Sequence, residues 1–275
     1  MHRHPALEGV AGLLWRMVAL ASHRLLMLDY DGTLAPFTVV RSEARPLPRS
    51  IRLLERIADS GHTTVAIVSG RPLLELEGLI GKLPAIFVGE HGWERRAQNG
   101  SIIRRPVEPS AASAIEIAER SAREAGCGEF LERKRSAVVL HTCGLPERRA
   151  RELQDRCVHA WEPLVSAVPL ALDRIEGGVE LRVRGRNKGT VVLSLLSQSV
   201  PGTLGVFVGD DRTDEDAFDA VRDLGFGLSV GHGRRPSLAQ GYLESYESVP
   251  LFLEEWLRIT GRPRRASRGV AGRGR

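Results

Sequence analysis

Apolar positions along this chain fall into short runs that alternate between two spacings. Leu25–Leu28, Thr63–Val68, Ala85–Val88, Leu204–Val208 and Phe226–Val230 are compact apolar or β-branched runs closed by Gly, Asp or Ser, which predicts five buried strands. Between them the spacing becomes helical. Ile51, Leu54, Ile57 and Ala58 share one face of a helix over Ile51–Ser60, ended by Gly61. Leu73–Ile80, Thr190–Ser197, Ala217–Arg222 and Val249–Ile259 read as further helices, and Leu7–Ala21 as an amphipathic helix packed on the body. Asn99-Gly100 predicts a hairpin turn between Trp93–Ala97 and Ile102–Arg104.

From about residue 105 the pattern changes. A helix over Ala111–Ala125 precedes strands at Phe130–Lys134 and Ala137–Thr142. A second helix, Pro146–Leu164, precedes strands at Leu170–Ile175 and Val179–Val183, joined through Gly177-Gly178. The order α-β-β-α-β-β predicts a compact α+β insertion with an antiparallel sheet, placed as a cap between two halves of an α/β body. The expected organisation is a core in two parts, residues 1–104 and 185–260, a cap over 105–184, and a tail over 261–275.

The polar residues that close the strands carry the candidate chemistry. Asp29 ends the first strand and Asp31 follows two positions later, so both carboxylates leave on the same side. Gly32 permits a sharp turn, and Thr33 adds a hydroxyl beyond it. Paired carboxylates at a strand end suit a divalent cation, or a nucleophile with an acid–base partner. The bland reading is an Asp-Gly turn that caps its own backbone.

Ser69 ends the second strand, where its hydroxyl and the next backbone N–H groups, starting at Gly70, suit an oxyanion. It is also an ordinary helix N-cap. His91, in the Gly89-Glu90-His91-Gly92 turn, reads as a structural residue that holds the loop by hydrogen bonds.

Lys188 opens a helix, an unfavourable place for a cation that a bound anion would offset. Asp210 directly follows the fourth strand and begins a run of five acids in seven residues, which repel unless a cation is present. An acidic first turn of the next helix accounts for Glu215 and Asp216 but not for Asp210. In a parallel sheet all these strand ends share one edge. Oxygen ligands without a His or Cys cluster imply Mg²⁺, and a cation, a Lys and helix N-termini around one point suit phosphoryl transfer.

In the insertion, Glu132 and Lys134 share a strand face, with His141 and Glu180 on later strands. Two readings stand here: a solvated face with cross-strand charge pairs, or a polar wall that hydrogen-bonds sugar hydroxyls.

Composition narrows the class. The chain has 275 residues, 42% of them hydrophobic, enough for a large core. The net charge of +5 invites a nucleic-acid partner, but six arginines lie in residues 261–275 without an acid, and the remainder stands at −1. The basicity thus belongs to a Gly/Arg/Ser tail expected to be disordered, and no nucleic-acid partner is expected. Three cysteines, Cys127, Cys143 and Cys157, show no framework or CxxC spacing, which predicts reduced thiols in a cytoplasmic protein. Ala19-Leu20-Ala21 resembles a signal-peptidase site, but Glu8 and Arg16 interrupt the apolar stretch before it. No stretch reaches the ~18 uninterrupted apolar residues of a membrane span.

DYDGT, SGR, NKG and GDDRTDEDAF, in that order, resemble the four motifs of the haloacid dehalogenase-like (HAD) phosphohydrolases. LDYDGTLAP, VSGR, GEHG, LERKRSAVVLH, VELRVRGRNKG and VGDDRTDEDAF resemble more closely the trehalose-6-phosphate phosphatases, across residues 24–258. The resemblance implies a Rossmann-like parallel-sheet HAD core with an inserted α+β cap, acting as a Mg²⁺-dependent phosphatase on trehalose 6-phosphate. Asp29 would form an aspartyl-phosphate, and Asp31 would protonate the leaving sugar and then activate water. Thr33, Ser69, Gly70 and Lys188 would hold the phosphoryl group. Mg²⁺ would sit on Asp29, the Asp31 carbonyl and Asp210, with Asp214 in support. Arg71, Glu132, Lys134, His141 and Glu180 would bind substrate. A functional link to a trehalose-phosphate synthase also follows. The alternatives are another sugar phosphate, such as sucrose phosphate or a glycosyl phosphoglycerate, or a catalytically silent sensor. The sequence departs from the family's usual pattern at Thr142, often an aromatic position, in the 231–235 loop and in the tail.

Overall fold

A computed structural model describes residues 8–175, 177–231 and 236–261. The arginine-rich tail after 261 and residues 232–235 of the loop noted above lie outside the described residues. The chain begins with β1 (Glu8–Gly9), α1 (Ala11–Leu20), β2 (Arg24–Leu28), α2 (Pro48–Asp59), β3 (Thr63–Val68), α3 (Leu73–Ile80) and β4 (Ile86–Gly89), then the hairpin β5 (Glu94–Arg96) and β6 (Ile102–Arg104). Next come α4 (Pro109–Glu124), β7 (Leu131–Arg133), β8 (Ala137–His141), α5 (Glu147–Ala167), β9 (Leu170–Ile175) and β10 (Gly178–Val183). It closes with α6 (Lys188–Ser197), β11 (Leu204–Gly209), α7 (Glu215–Val221), β12 (Gly225–Val230), β13 (Gly241–Leu243) and α8 (Val249–Thr260).

The strands form two sheets. The larger has nine strands in the order β1-β13-β12-β11-β2-β3-β4-β5-β6. Its centre, β13 to β4, is parallel throughout, while β1 and the β5–β6 hairpin add antiparallel margins. The five expected core strands are present, and the sheet is wider than periodicity indicated. β1 and β13, of two and three residues, are too short to show a spacing, and sheet membership of the hairpin is a tertiary matter.

The central strands are buried on both faces. Leu26, Leu28, Val65 and Ile67 pack with α1, α2 and α8, whereas Leu25, Met27, Ala66 and Val68 pack with α6 and α7. Burial on both faces explains why these strands read as unbroken apolar runs. The expected amphipathic N-terminal helix is α1, which buries Leu14 and Val18. α7 begins at Glu215, two residues earlier than expected, with Glu215 and Asp216 in its first turn, where the positive helix end favours acids.

The second sheet, β7-β8-β10-β9, is antiparallel. Val138, Leu140, Val179 and Leu181 point to α4 and α5 and close a separate core around Trp161. Glu132 and Glu180 both pair with Val139, so the three side chains lie in a row on the opposite face.

Candidate active site

The sheet register assembles the site. Leu28 is abreast of both Val208 and Ile67, so Asp29, Asp210 and Ser69 emerge within a residue step of one another at the C-terminal edge. Such an edge is where open α/β sheets bind ligands. Asp29 is almost fully buried, and Lys188 Nζ lies 2.9 Å from its Oδ1 and 2.7 Å from Asp214 Oδ1. Asp214 is wholly buried, and its other oxygen accepts the backbone N–H groups of Asp210 and Asp211 at 3.0 and 2.8 Å. Lys188 is therefore not an exposed helix-start lysine. It is held inside an acidic pair.

Gly32 lies at φ +75°, and a Cβ there would stand 2.0 Å from Asp210 Oδ2. The turn after β2 thus needs glycine for both its backbone and its neighbour. Asp31 projects into the cavity and is gripped by the Arg71 fork, Nε to Oδ2 at 2.7 Å and Nη2 to Oδ1 at 2.6 Å. Thr33 is buried behind the edge and donates to Asp210 Oδ1 at 3.1 Å. The Ser69 hydroxyl accepts the Arg71 N–H at 3.2 Å.

A cavity of about 390 Å³ lies between this edge and the second sheet, and Asp29, Asp31, Ser69, Gly70, Lys188 and Asp210 line its floor. Lys134, Val139, His141 and Glu180 contribute to its opposite wall. Lys134 Nζ lies 3.4 Å from Glu180 Oε1 and 4.0 Å from Glu132 Oε2. His141 Nε2 lies 2.7 Å from Glu132 Oε2.

The sequence matches the profile of the trehalose-phosphatase family over residues 27–245. The chain belongs to the trehalose-phosphatase family. Members are phosphoric monoester hydrolases. The chain is 34% identical over 240 residues to the bifunctional trehalose-6-phosphate synthase/phosphatase of Thermoproteus tenax, covering 86% of this chain and 32% of that one. It therefore spans about a third of that relative's length. It is 30% identical over 230 residues to the trehalose-6-phosphate phosphatase of Escherichia coli K12, covering 82% and 84% of the two chains. Among solved structures, the C-terminal domain of Candida albicans trehalose-6-phosphate phosphatase superposes with a TM-score of 0.80 at 20% identity, covering 92% of this chain and 97% of that one. The fold is that of the HAD phosphatases.

In this trehalose-phosphatase family member the acidic cluster has marked electrostatics. Burial raises the pKa of Asp29 well above the ordinary aspartate value, with Asp214 and Asp210 adding to the rise against the opposing pull of Lys188. Burial, then Asp214, pushes Asp210 up to about 8. Burial opposes the charge on Lys188, but Asp214 and Asp29 outweigh it and hold the ammonium charged. Carboxylate oxygens of Asp29, Asp210 and Asp214 lie within 4.8 Å of one another. Three buried or half-buried carboxylates around one lysine, with oxygen donors only, fit a hard divalent cation.

The wall supplied by the second sheet is also charged and mostly paired. Burial opposes ionisation of Glu132, but the His141 hydrogen bond, Lys134 and Arg41 overcome it and hold the carboxyl down at about 2. Glu180 is likewise held well below the ordinary range, burial being outweighed by Lys134 and His91. Glu132 itself sits behind the cavity lining, against His141 and Arg41.

His91 stands at φ +53°, lines the cavity and places Nε2 3.5 Å from Glu180 Oε2, so it meets the second sheet as well as shaping its own turn. Two residues near the site escaped the sequence reading. Glu75, in the first turn of α3, pairs with Arg71 four residues before it, ahead of the helix, where no helical spacing gives a signal. Arg41 lies in an aperiodic, proline-flanked loop that carries no such signal.

Proposed function

We propose that this protein hydrolyses trehalose 6-phosphate to trehalose and inorganic phosphate through an aspartyl-phosphate on Asp29. The observation that carries the reading is the convergence of Asp29, Lys188, Ser69 and the Arg71-held Asp31 on the floor of a cavity with a charged, hydrogen-bonding roof. In the first step Asp29 attacks phosphorus, and Asp31 gives a proton to the departing sugar oxygen. In the second, Asp31 takes a proton from water as that water attacks the aspartyl-phosphate, and phosphate leaves. Lys188, Ser69 and the backbone N–H groups near Gly70 hold the phosphoryl oxygens, while Thr33 fixes Asp210 from behind. The Arg71 fork orients Asp31.

Mg²⁺ would be held by Asp29, Asp210 and the Asp31 carbonyl, with Asp214 in support, and supplies charge neutralisation that lets a carboxylate approach a phosphate dianion. We take residues 105–184 as the cap, with Lys134, Glu180 and His141 facing the sugar hydroxyls, Glu132 bracing His141, and Arg71 acting through Asp31. The three free thiols support a reducing, cytoplasmic setting. Among the described residues no helix is long and apolar enough to cross a membrane. The fused synthase named in the Thermoproteus relative supports a trehalose-phosphate synthase as the source of substrate.

The test is Mg²⁺-dependent phosphate release from trehalose 6-phosphate, sucrose 6-phosphate, a glycosyl phosphoglycerate and glucose 6-phosphate. Selective release from trehalose 6-phosphate, lost in Asp29→Asn, is expected. Preference for another ester overturns the substrate, and full activity in Asp29→Asn overturns the mechanism.

A further inference from the structure

The loop between β2 and α2 leaves the catalytic turn and passes beneath the cap. Arg41 sits on it with its side chain about a quarter exposed. Its Nη1 donates to Glu132 Oε2 and lies 2.8 Å from His141 Nε2, both on the cap. Its Nη2 reaches Glu75 Oε2, on α3 of the core, at 3.5 Å. Its backbone carbonyl accepts Arg71 Nη1 at 3.0 Å. Arg71 in turn pairs with Glu75 and grips Asp31 with two further donors. One unbroken chain of charge-assisted hydrogen bonds therefore runs from the cap wall through Arg41 to the acid–base carboxylate.

Another contact between core and cap, at Glu90, has a different character. Glu90 is buried and accepts the backbone N–H groups of Arg135 and Ser136 at 3.3 and 3.1 Å and the Ser136 hydroxyl at 2.8 Å. Fixed backbone donors on a buried carboxylate resist separation. Long, partly solvated side chains exchange partners readily. Glu90 is thus placed as an anchor and Arg41 as the contact that makes and breaks.

We propose that Arg41 is a positioning residue that couples seating of the cap over a sugar to the orientation of Asp31. It rests on the reading of Asp31 as acid–base group and of the cap as sugar wall. With Glu132 locked against Arg41, the turn that presents the Arg41 carbonyl is held, and Arg71 keeps its fork on Asp31. When that contact is lost, the turn and the fork lose a restraint, so proton delivery to a sugar leaving group suffers most. An aryl ester such as p-nitrophenyl phosphate leaves as a stabilised phenolate. Its first step, the one that kcat/KM reads, needs neither the Asp31 proton nor the cap wall, whereas the water-activating second step is common to both esters.

The experiment compares kcat and KM for trehalose 6-phosphate and p-nitrophenyl phosphate in wild type, Arg41→Ala, Arg41→Lys and Arg41→Ala/Glu132→Gln, with Tm as a check on folding. In Arg41→Ala the sugar-to-aryl ratio of kcat/KM is expected to fall by about tenfold or more, the size of one lost specific contact. Arg41→Lys should recover part of it, and the double variant should be no worse than Arg41→Ala, because coupled residues are non-additive. Equal losses of kcat/KM on both esters, or additive losses in the double variant, would overturn the inference. Asp31→Asn separates the two levels. A fully active Asp31→Asn retires the underlying reading, whereas an inactive one beside an unchanged Arg41→Ala ratio retires only the role of Arg41. If another sugar phosphate is the preferred substrate, the same ratio is taken on that ester.

Discussion

Lys188 reaches Asp29 at 2.9 Å, across more than 150 residues of sequence, and its ammonium faces the carboxylate proposed as the nucleophile. Replacing it with an apolar residue leaves Asp29 and Asp214 buried together. Lys188→Met is expected to cost about 3–5 kcal/mol of stability, the usual penalty for breaking a buried ion pair. Denaturant unfolding measures it. Phosphate release should fall by about a hundredfold or more, as for other lost oxyanion donors.

The crowding of Asp29, Asp210 and Asp214 predicts that Mg²⁺ stabilises the fold. At a hundred times its Kd the gain is about 2.7 kcal/mol. A thermal scan with Mg²⁺ against EDTA should show it as a concentration-dependent rise in Tm. Asp210→Asn should lose most of the rise. A Tm indifferent to Mg²⁺ in wild type would count against the cation site.

Glu132 is held down at about 2, against an ordinary value of 4.5. A carboxyl with a depressed folded pKa stabilises above its unfolded value, and that contribution is lost as pH falls through the folded one. The wild type should therefore lose about 2–3 kcal/mol between roughly pH 4.5 and pH 2 that Glu132→Gln does not lose. Parallel denaturation curves for the two proteins across that range give the difference directly.

Gly32→Ala tests the turn after β2. The residue lies at φ +75°, and the added methyl would fall on the Asp210 carboxylate. Backbone strain alone costs about 1–2 kcal/mol. Displacement of Asp210 should lower kcat further than that modest loss of stability accounts for. Measuring kcat beside Tm distinguishes a moved carboxylate from a weakened fold.

The sequence was most legible where information is local. Asp29 and Asp31 follow an apolar run by a fixed alternation, Ser69 and Asp210 close their own strands, and the glycine between Asp31 and Thr33 marks its turn. Helices α3 and α6 and the Asn99-Gly100 hairpin likewise announce themselves through spacing and turn chemistry. The cap residues were less legible. Period two put Glu132 and Lys134 on one face, but whether that face met solvent or a cavity depended on what lay opposite. The structure gives a cavity for Lys134 and an ion-pair network for Glu132.

By itself, then, the sequence determined the alternation of strands and helices, and the acids, hydroxyl and lysine that close the strands or open the helices beside them. Each is set by neighbours a few residues away, through side-chain period and backbone preference. Tertiary structure alone decided that β1, β13 and the hairpin widen the core sheet, that Lys188 is buried between two aspartates, and that Arg41 joins the cap to Arg71. Those pairings bridge residues far apart in sequence, and strand order and the desolvation of charge against charge fix them only when the whole chain has packed.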